Sequence, residues 1–388
     1  MFQLDRDLDR AKVANNPEML SDAAPPVLVD EWQKVPAVWE FIRRKVDAGA
    51  PAGSYLLTGS IANSDLDIHS GAGRILRLRM RPLSLAERGL TATPAVSLKA
   101  LFDAPKPFSL PVRGETAVAY PDYMSEIVAS GLPGIRALPE GRRRQMLDSF
   151  LDNLLSHEFR QQGIRVRQPQ TMLRWLRAYA SAVATDAGYT EILDASTAGE
   201  RDKPALRTTA AYREALGNLW LLDEVPAWVA GGDYHSRLKQ TPRHYLADPA
   251  LAAALLDIDM DMLVGTGAPE GVAATFADKN GNIIGRLFES LLQQSLATYA
   301  LVNDAKLSYL RTRNGDHEID FIIQRGRKII AVEVKMSPVV TDADVRHLAW
   351  LRTLLGGRLA DALVLNAGNI AYRRPDGVAV IPAALLAA

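Results

Sequence analysis

The 388-residue chain is 48% apolar and 23% charged, the proportions of a soluble globular protein long enough for two or three cores. Its 45 basic and 45 acidic residues cancel, so only local patches could present a basic surface to nucleic acid. Cysteine is absent, which excludes disulfides, thiolate catalysis and cysteine-ligated zinc, and the six histidines show no H-x-x-x-H or HExxH spacing. No apolar run approaches the roughly eighteen residues of a membrane span, and the first residues, charged from Asp5 onward, are not expected to be a secretory signal. A cytoplasmic location and no membrane partner are the expectation.

In chain order, residues 1–92 alternate short apolar runs (VLVD, SYLLTGS, RILRLRM) with a helical stretch from Ala37 to Val46, the pattern of an α/β unit with a largely parallel sheet. In PPVLVDEWQKVP a buried strand ends in Asp30 and Glu31. P-loop ATPases place two acidic groups there, the first to hold the Mg²⁺ shell and the second to orient water. Thr58 at the tip of the next strand is suited to sensing a γ-phosphate, and Arg74 ahead of RILRLRM to stabilising transferred charge. Alone, such an Asp-Glu step is as well explained by a solvated acidic turn. Residues 93–165 begin with a Pro- and Ala-rich stretch, 93–118, that reads as an irregular insertion, followed by helical segments and a linker.

Residues 166–260 read as three helices and a hairpin, the plan of a winged helix. The third helix carries Arg207, Thr208, Tyr212 and Arg213 on its early turns, suited to phosphate and groove contacts with DNA. Arg237, Lys239 and Arg243 would sit in the wing. Residues 261–280 look like a Gly- and Ala-rich linker, and residues 275–388 open on the helix IIGRLFESLLQQSLATYAL.

That last region holds the strongest pattern, GDHEIDFIIQRGRKIIAVEVKMS. Two strands flank a Gly-containing turn, and a hairpin closed at 325–328 sets Asp320 opposite Glu333, with Cβ atoms roughly 5 Å apart. Two carboxylates so placed suit one hard cation. Lys335 shares the face of Glu333 and could help deprotonate a metal-bound water, whereas Val332 and Val334 turn to the core. Glu289, about 31 residues upstream of Asp320, lies at the edge of an apolar helix face. Glu318 faces solvent or serves as an alternative ligand.

The helix–D–ExK arrangement resembles the PD-(D/E)XK phosphodiesterases. That resemblance implies Glu289, Asp320 and Glu333 as Mg²⁺ ligands and Lys335 as the catalytic lysine. The motifs VLVDEWQKVP, LLTGS, GRILRLRMRPLSLAE, SGLPGI and YLADPALAAALL, in that order, resemble a bacterial family of AAA-like ATPases. In that family a P-loop domain precedes a winged helix and a C-terminal restriction-endonuclease-like domain. The resemblance implies an α/β multidomain chain with a partial P-loop ATPase sheet, a helical or winged-helix middle and a nuclease-like C-terminal domain. It further implies ATP and Mg²⁺ as cofactors and DNA as partner. One departure stands out, since no G-x-x-x-x-G-K-[ST] loop occurs in the sequence. The chain is therefore expected to be an N-terminally truncated member that binds ATP weakly and has unpaired backbone in mid-sheet. An upstream start that restores a working ATPase is the alternative. So is a non-catalytic DNA- or protein-binding module with relic sites.

Overall fold

The computed structural model describes residues 1–59, 71, 73–91, 93–154, 169–197, 206–229, 240–265, 272–312 and 314–388. They fall into two units, Met1–Met80 and Arg81–Ala388.

In the first unit a parallel sheet joins β1 (Phe2–Gln3), β2 (Val27–Asp30) and β3 (Tyr55–Thr58) in that order. Val27 and Val29 alternate into a core with Leu4, Val13 and Leu20, and the helix Ala37–Asp47 turns Val38, Phe41 and Ile42 onto it. β2 is the central strand, paired with β3 from Val27↔Tyr55 to Asp30↔Thr58 and with β1 at Val29 and Asp30, and β3 is the outer strand among the described residues, with Leu56 exposed. RILRLRM does not form the expected strand. Residues 75–80 run without regular structure, with Leu76, Leu78 and Met80 exposed.

The second unit is built on a mixed seven-stranded sheet. Its strands are β5 (Gly114–Glu115), β6 (Lys306–Arg311), β7 (Glu318–Arg325), β8 (Lys328–Lys335), β9 (Leu359–Asn366), β10 (Ile370–Arg373) and β11 (Ala379–Pro382), in the spatial order β5-β10-β11-β9-β8-β7-β6. β9 runs parallel to both its neighbours, and all eight of its residues are buried, as expected of a strand covered on both faces. The helix Asp342–Leu355 packs Leu348 and Leu351 with Ile322, Ala331 and Val364 on one face. On the other face Leu287, Phe288 and Leu291 of the helix Val272–Val302 join the cluster that holds Phe321, Val332 and Leu363. That helix begins at Val272, so the second half of the expected linker is helical.

The stretch 93–118 is not an irregular insertion. β5 closes one edge of the seven-stranded sheet, and β4 (Val96–Ser97) pairs with β12 (Leu386–Ala387). Leu98, Leu101 and Phe102 of the following helix are fully buried, and that helix is capped by the Ser97 hydroxyl. Gly114 has a positive φ, and a Cβ there would lie 2.6 Å from that of Ala95.

The segment Arg81–Arg88, with its LSLAE motif, belongs to this second unit. The Arg88 side chain is fully buried. It donates to Leu83 O (2.9 Å), Glu126 Oε2 (2.8 Å) and Gln294 Oε1 (2.7 Å), joining the helix Tyr120–Ala129 to Val272–Val302. Arg136 adds a second fork to Glu126 at 2.7 and 2.9 Å. Burial pushes the Glu126 carboxyl up, but the hydrogen bonds from Arg136 and Arg88 outweigh it and hold the group below its ordinary value. A depressed carboxylate contributes stability above its unfolded pKa and loses it as pH falls through the folded one. The stability gap between wild type and Glu126→Gln is therefore expected to be widest near neutrality and to close below about pH 4. Urea midpoints across that range measure it, and a gap that persists or widens in acid overturns the assignment.

Candidate metal and phosphodiester site

The β7–β8 ladder runs from Arg325↔Lys328, across a two-residue turn with Gly326 at φ +59°, to Phe321↔Val332. One step further Asp320 comes beside Glu333, and there Asp320 Oδ2 accepts a hydrogen bond from the Val334 amide (2.8 Å). Glu333 is 4% exposed, and its Oε1 accepts no hydrogen bond among the described residues. Lys335 Nζ lies 3.9 Å from Glu333 Oε2. By strand alternation Asp320, Glu333 and Lys335 share the parity of Ile322 and Ala331, which pack toward the helix Asp342–Leu355. Glu289 approaches from the other layer, on the helix Val272–Val302.

A guanidinium joins them. Arg243, 3% exposed, places Nη1 2.9 Å from Glu289 Oε1 and 3.3 Å from Asp320 Oδ1, and its Nη2 pairs with Glu318. Tyr245 donates its hydroxyl to Glu289 Oε1 at 2.5 Å. Burial, and then the Asp320 charge, push the Glu289 carboxyl up to about 8. Burial and the same neighbour push Glu333 well above the carboxylate range. A cleft of about 610 Å³ opens beside this cluster, lined among others by Arg243, Arg286, Glu289, Arg311, Glu318 and Asp320. Arg311 is paired with Asp186 at 2.6 Å.

Two residues here escaped the sequence reading. Arg243 was expected in a wing on the strength of its charge, and Tyr245 was not singled out. Both are brought in by antiparallel bridges, Leu222↔Leu246 and Val225↔Arg243, that tie the region after the third helix to its own return segment. The alternation of 243 and 245 along an extended segment was the available signal, since both would point one way.

Of the other candidates, the structure brings Asp30, Glu31 and Thr58 together and not Arg74. Asp30 and Thr58 are register partners, and the Thr58 hydroxyl donates to Asp30 Oδ1 at 2.6 Å. Glu31, next to them, has a left-handed backbone (φ +53°) and accepts from Gln33 (2.5 Å). Arg74 pairs with Asp47 instead. In the middle region, helices Pro169–Ser181, Tyr189–Ser196 and Leu206–Asn218 are present. Arg207 and Thr208 are exposed on the third, whereas Tyr212 is 7% exposed and edge-on to Trp175 in the core, so its ring is not presented to a groove. Arg213 lies over the Tyr189 ring at 3.5 Å. Arg237 and Lys239 lie outside the described residues.

Residues 1–88 match the model of an AAA domain, residues 120–262 that of a domain of unknown function (DUF8612), and residues 284–386 that of another (DUF4143). The uncharacterized proteins Mb2031c of Mycobacterium bovis and Rv2008c of Mycobacterium tuberculosis are each 22% identical over 387 residues, covering 98% of this chain and 74% of theirs. No solved structure matches the chain. The N-terminal AAA match with the C-terminal DUF4143 match supports an AAA-like ATPase family. No helix among the described residues is long and apolar enough to cross a membrane.

Proposed function

We propose that this chain is a DNA-associated protein of AAA-like ATPase kind whose C-terminal sheet is a restriction-endonuclease-like domain directed at the phosphodiester backbone. The observation that supports it is the meeting of Glu289 and Asp320, from one helix and one hairpin, at the wall of a cleft that Arg286 and Arg311 also line, with Glu333 and Lys335 next to Asp320 across the hairpin. Exposed Arg207 and Thr208 supply further phosphate contacts from the winged-helix-like middle.

Glu289, Asp320 and Glu333 offer the hard oxygen donors that Mg²⁺ takes, yet Arg243 lies between the first two. Among the described residues no three acidic or histidine side chains are grouped to hold a metal. In this arrangement the set does not fit a divalent ion. Asp30 and Thr58, joined by the 2.6 Å hydrogen bond, and Glu31 beside them are the residues that would face the Mg²⁺ and phosphates of a nucleotide. The position of Arg243 favours a second form of the same reading, in which the domain grips DNA without cutting it.

Fluorescence anisotropy with linear and branched DNA at low salt, followed by incubation with Mg²⁺ or Mn²⁺, tests both. Binding at about 10 µM or tighter, weakening with salt, is expected. Cleavage abolished by Glu333→Ala and Lys335→Ala establishes the cutting form, and binding without cleavage the gripping form. Absence of DNA binding overturns the proposal.

A further inference from the structure

We propose that Arg243 is the resident cation of the acidic centre, a guanidinium built into the position that a divalent metal would need, so that the site is filled from within the chain. The inference rests on the nuclease-like reading for the metal it displaces. Its geometry stands on this structure.

A guanidinium that is 3% exposed survives only if its charge is matched, and Arg243 is matched by carboxylates from two layers, Glu289 on the helix and Glu318 and Asp320 on β7. Its backbone is fixed as well, with N–H and C=O both exchanged with Val225 at 2.9 Å. The Tyr309 ring lies 5.0 Å from its guanidinium carbon. The planar fork satisfies those three carboxylates and stops there. Glu333 Oε1, buried at the same centre, still accepts nothing among the described residues. Arg243 pairs with Glu289, Glu318 and Asp320, and Glu333 lies against Asp320 instead, so the flat guanidinium reaches only part of the acidic set. A dication within about 4 Å of the guanidinium would be strongly repelled, so the two occupants exclude each other. The segment that carries Arg243 is held in one antiparallel register, Ala247 N to Leu221 O at 2.8 Å, Asp223 N to Tyr245 O at 2.9 Å and the Val225–Arg243 pair, so the guanidinium is fixed in place.

Uptake of Mn²⁺ by the full chain, followed by the loss of the free-ion electron paramagnetic resonance signal, tests this without reference to DNA. Wild type is expected to take up no Mn²⁺ at about 100 µM, whereas Arg243→Gln takes up one ion at least about tenfold more tightly, an affinity lost again when Glu333→Gln is added. Glutamine keeps a hydrogen-bond donor and is the deciding variant, because Arg243→Ala strands three carboxylates. Circular dichroism confirms that it is folded. One Mn²⁺ bound as tightly by wild type as by Arg243→Gln overturns the proposal, and so does a folded Arg243→Gln that binds none. DNA binding is measured separately on metal-free wild type, so its loss strikes the functional reading and a flat manganese response strikes this one.

Discussion

Replacing Asp361 by Ala is expected to destabilise the second unit by about 3–5 kcal/mol, the cost of leaving one half of a buried ion pair alone. Asp361 lies on β9 in the middle of the sheet and is fully buried. It meets Arg373 of β10 in a parallel fork, Oδ1 to Nη1 and Oδ2 to Nη2, both at 2.9 Å. Arg373 spends its other donors on Leu110 O and Gly377 O, so the same guanidinium holds the chain entering β5 and the turn before β11. Alanine removes the charge and the acceptors together. Asn keeps the shape and one acceptor and should cost clearly less. Urea midpoints of the two variants decide it, and a loss under about 1 kcal/mol for Asp361→Ala would show that the pair merely breaks even against its desolvation.

The second large effect is expected at Asp248, also fully buried. Its Oδ1 caps the helix Pro249–Leu255 at the Ala250 amide (3.0 Å), while Oδ2 accepts from the Ser130 hydroxyl (2.6 Å) and the Gly131 amide (2.8 Å). Ser130 has a φ of +65°, a region L-residues seldom adopt, and the Asp248 carboxylate is one of its anchors. Asp248→Ala should cost about 3 kcal/mol, one cap plus two charge-assisted bonds left without an acceptor. Asp248→Asn should recover part of it. Thermal unfolding reads the difference, and equal melting of Asp248→Ala and wild type would remove this residue from the account.

These residues explain motifs that the sequence offered as a resemblance. SGLPGI and YLADPALAAALL meet at Asp248. Gly131 of the first cannot carry a side chain, since a Cβ would lie 2.9 Å from Leu83 O, on the segment that leads into LSLAE. Three motifs far apart in the chain are one packed knot around Arg88, Asp248 and Gly131. Their meeting in this fold is a matter of packing before any catalysis.

The sequence alone determined the local elements. VLVD, EIDFII and KIIAVEVK are strands because alternation is a property of neighbours, and the Gly326 turn sets their register, since a slip of one residue would turn every buried side chain to the wrong face. Asp320 beside Glu333 with Lys335 alongside follows from that register. The occupant of that acidic centre was not legible. Arg243 lies 46 residues before Glu289 and 77 before Asp320, and no periodicity carries a partnership across such distances. Nor could composition reveal that 93–118 closes the edge of a sheet whose other strands begin beyond residue 300. Tertiary structure decided both, because a buried charge or an open strand edge takes whichever matching group the fold brings within reach.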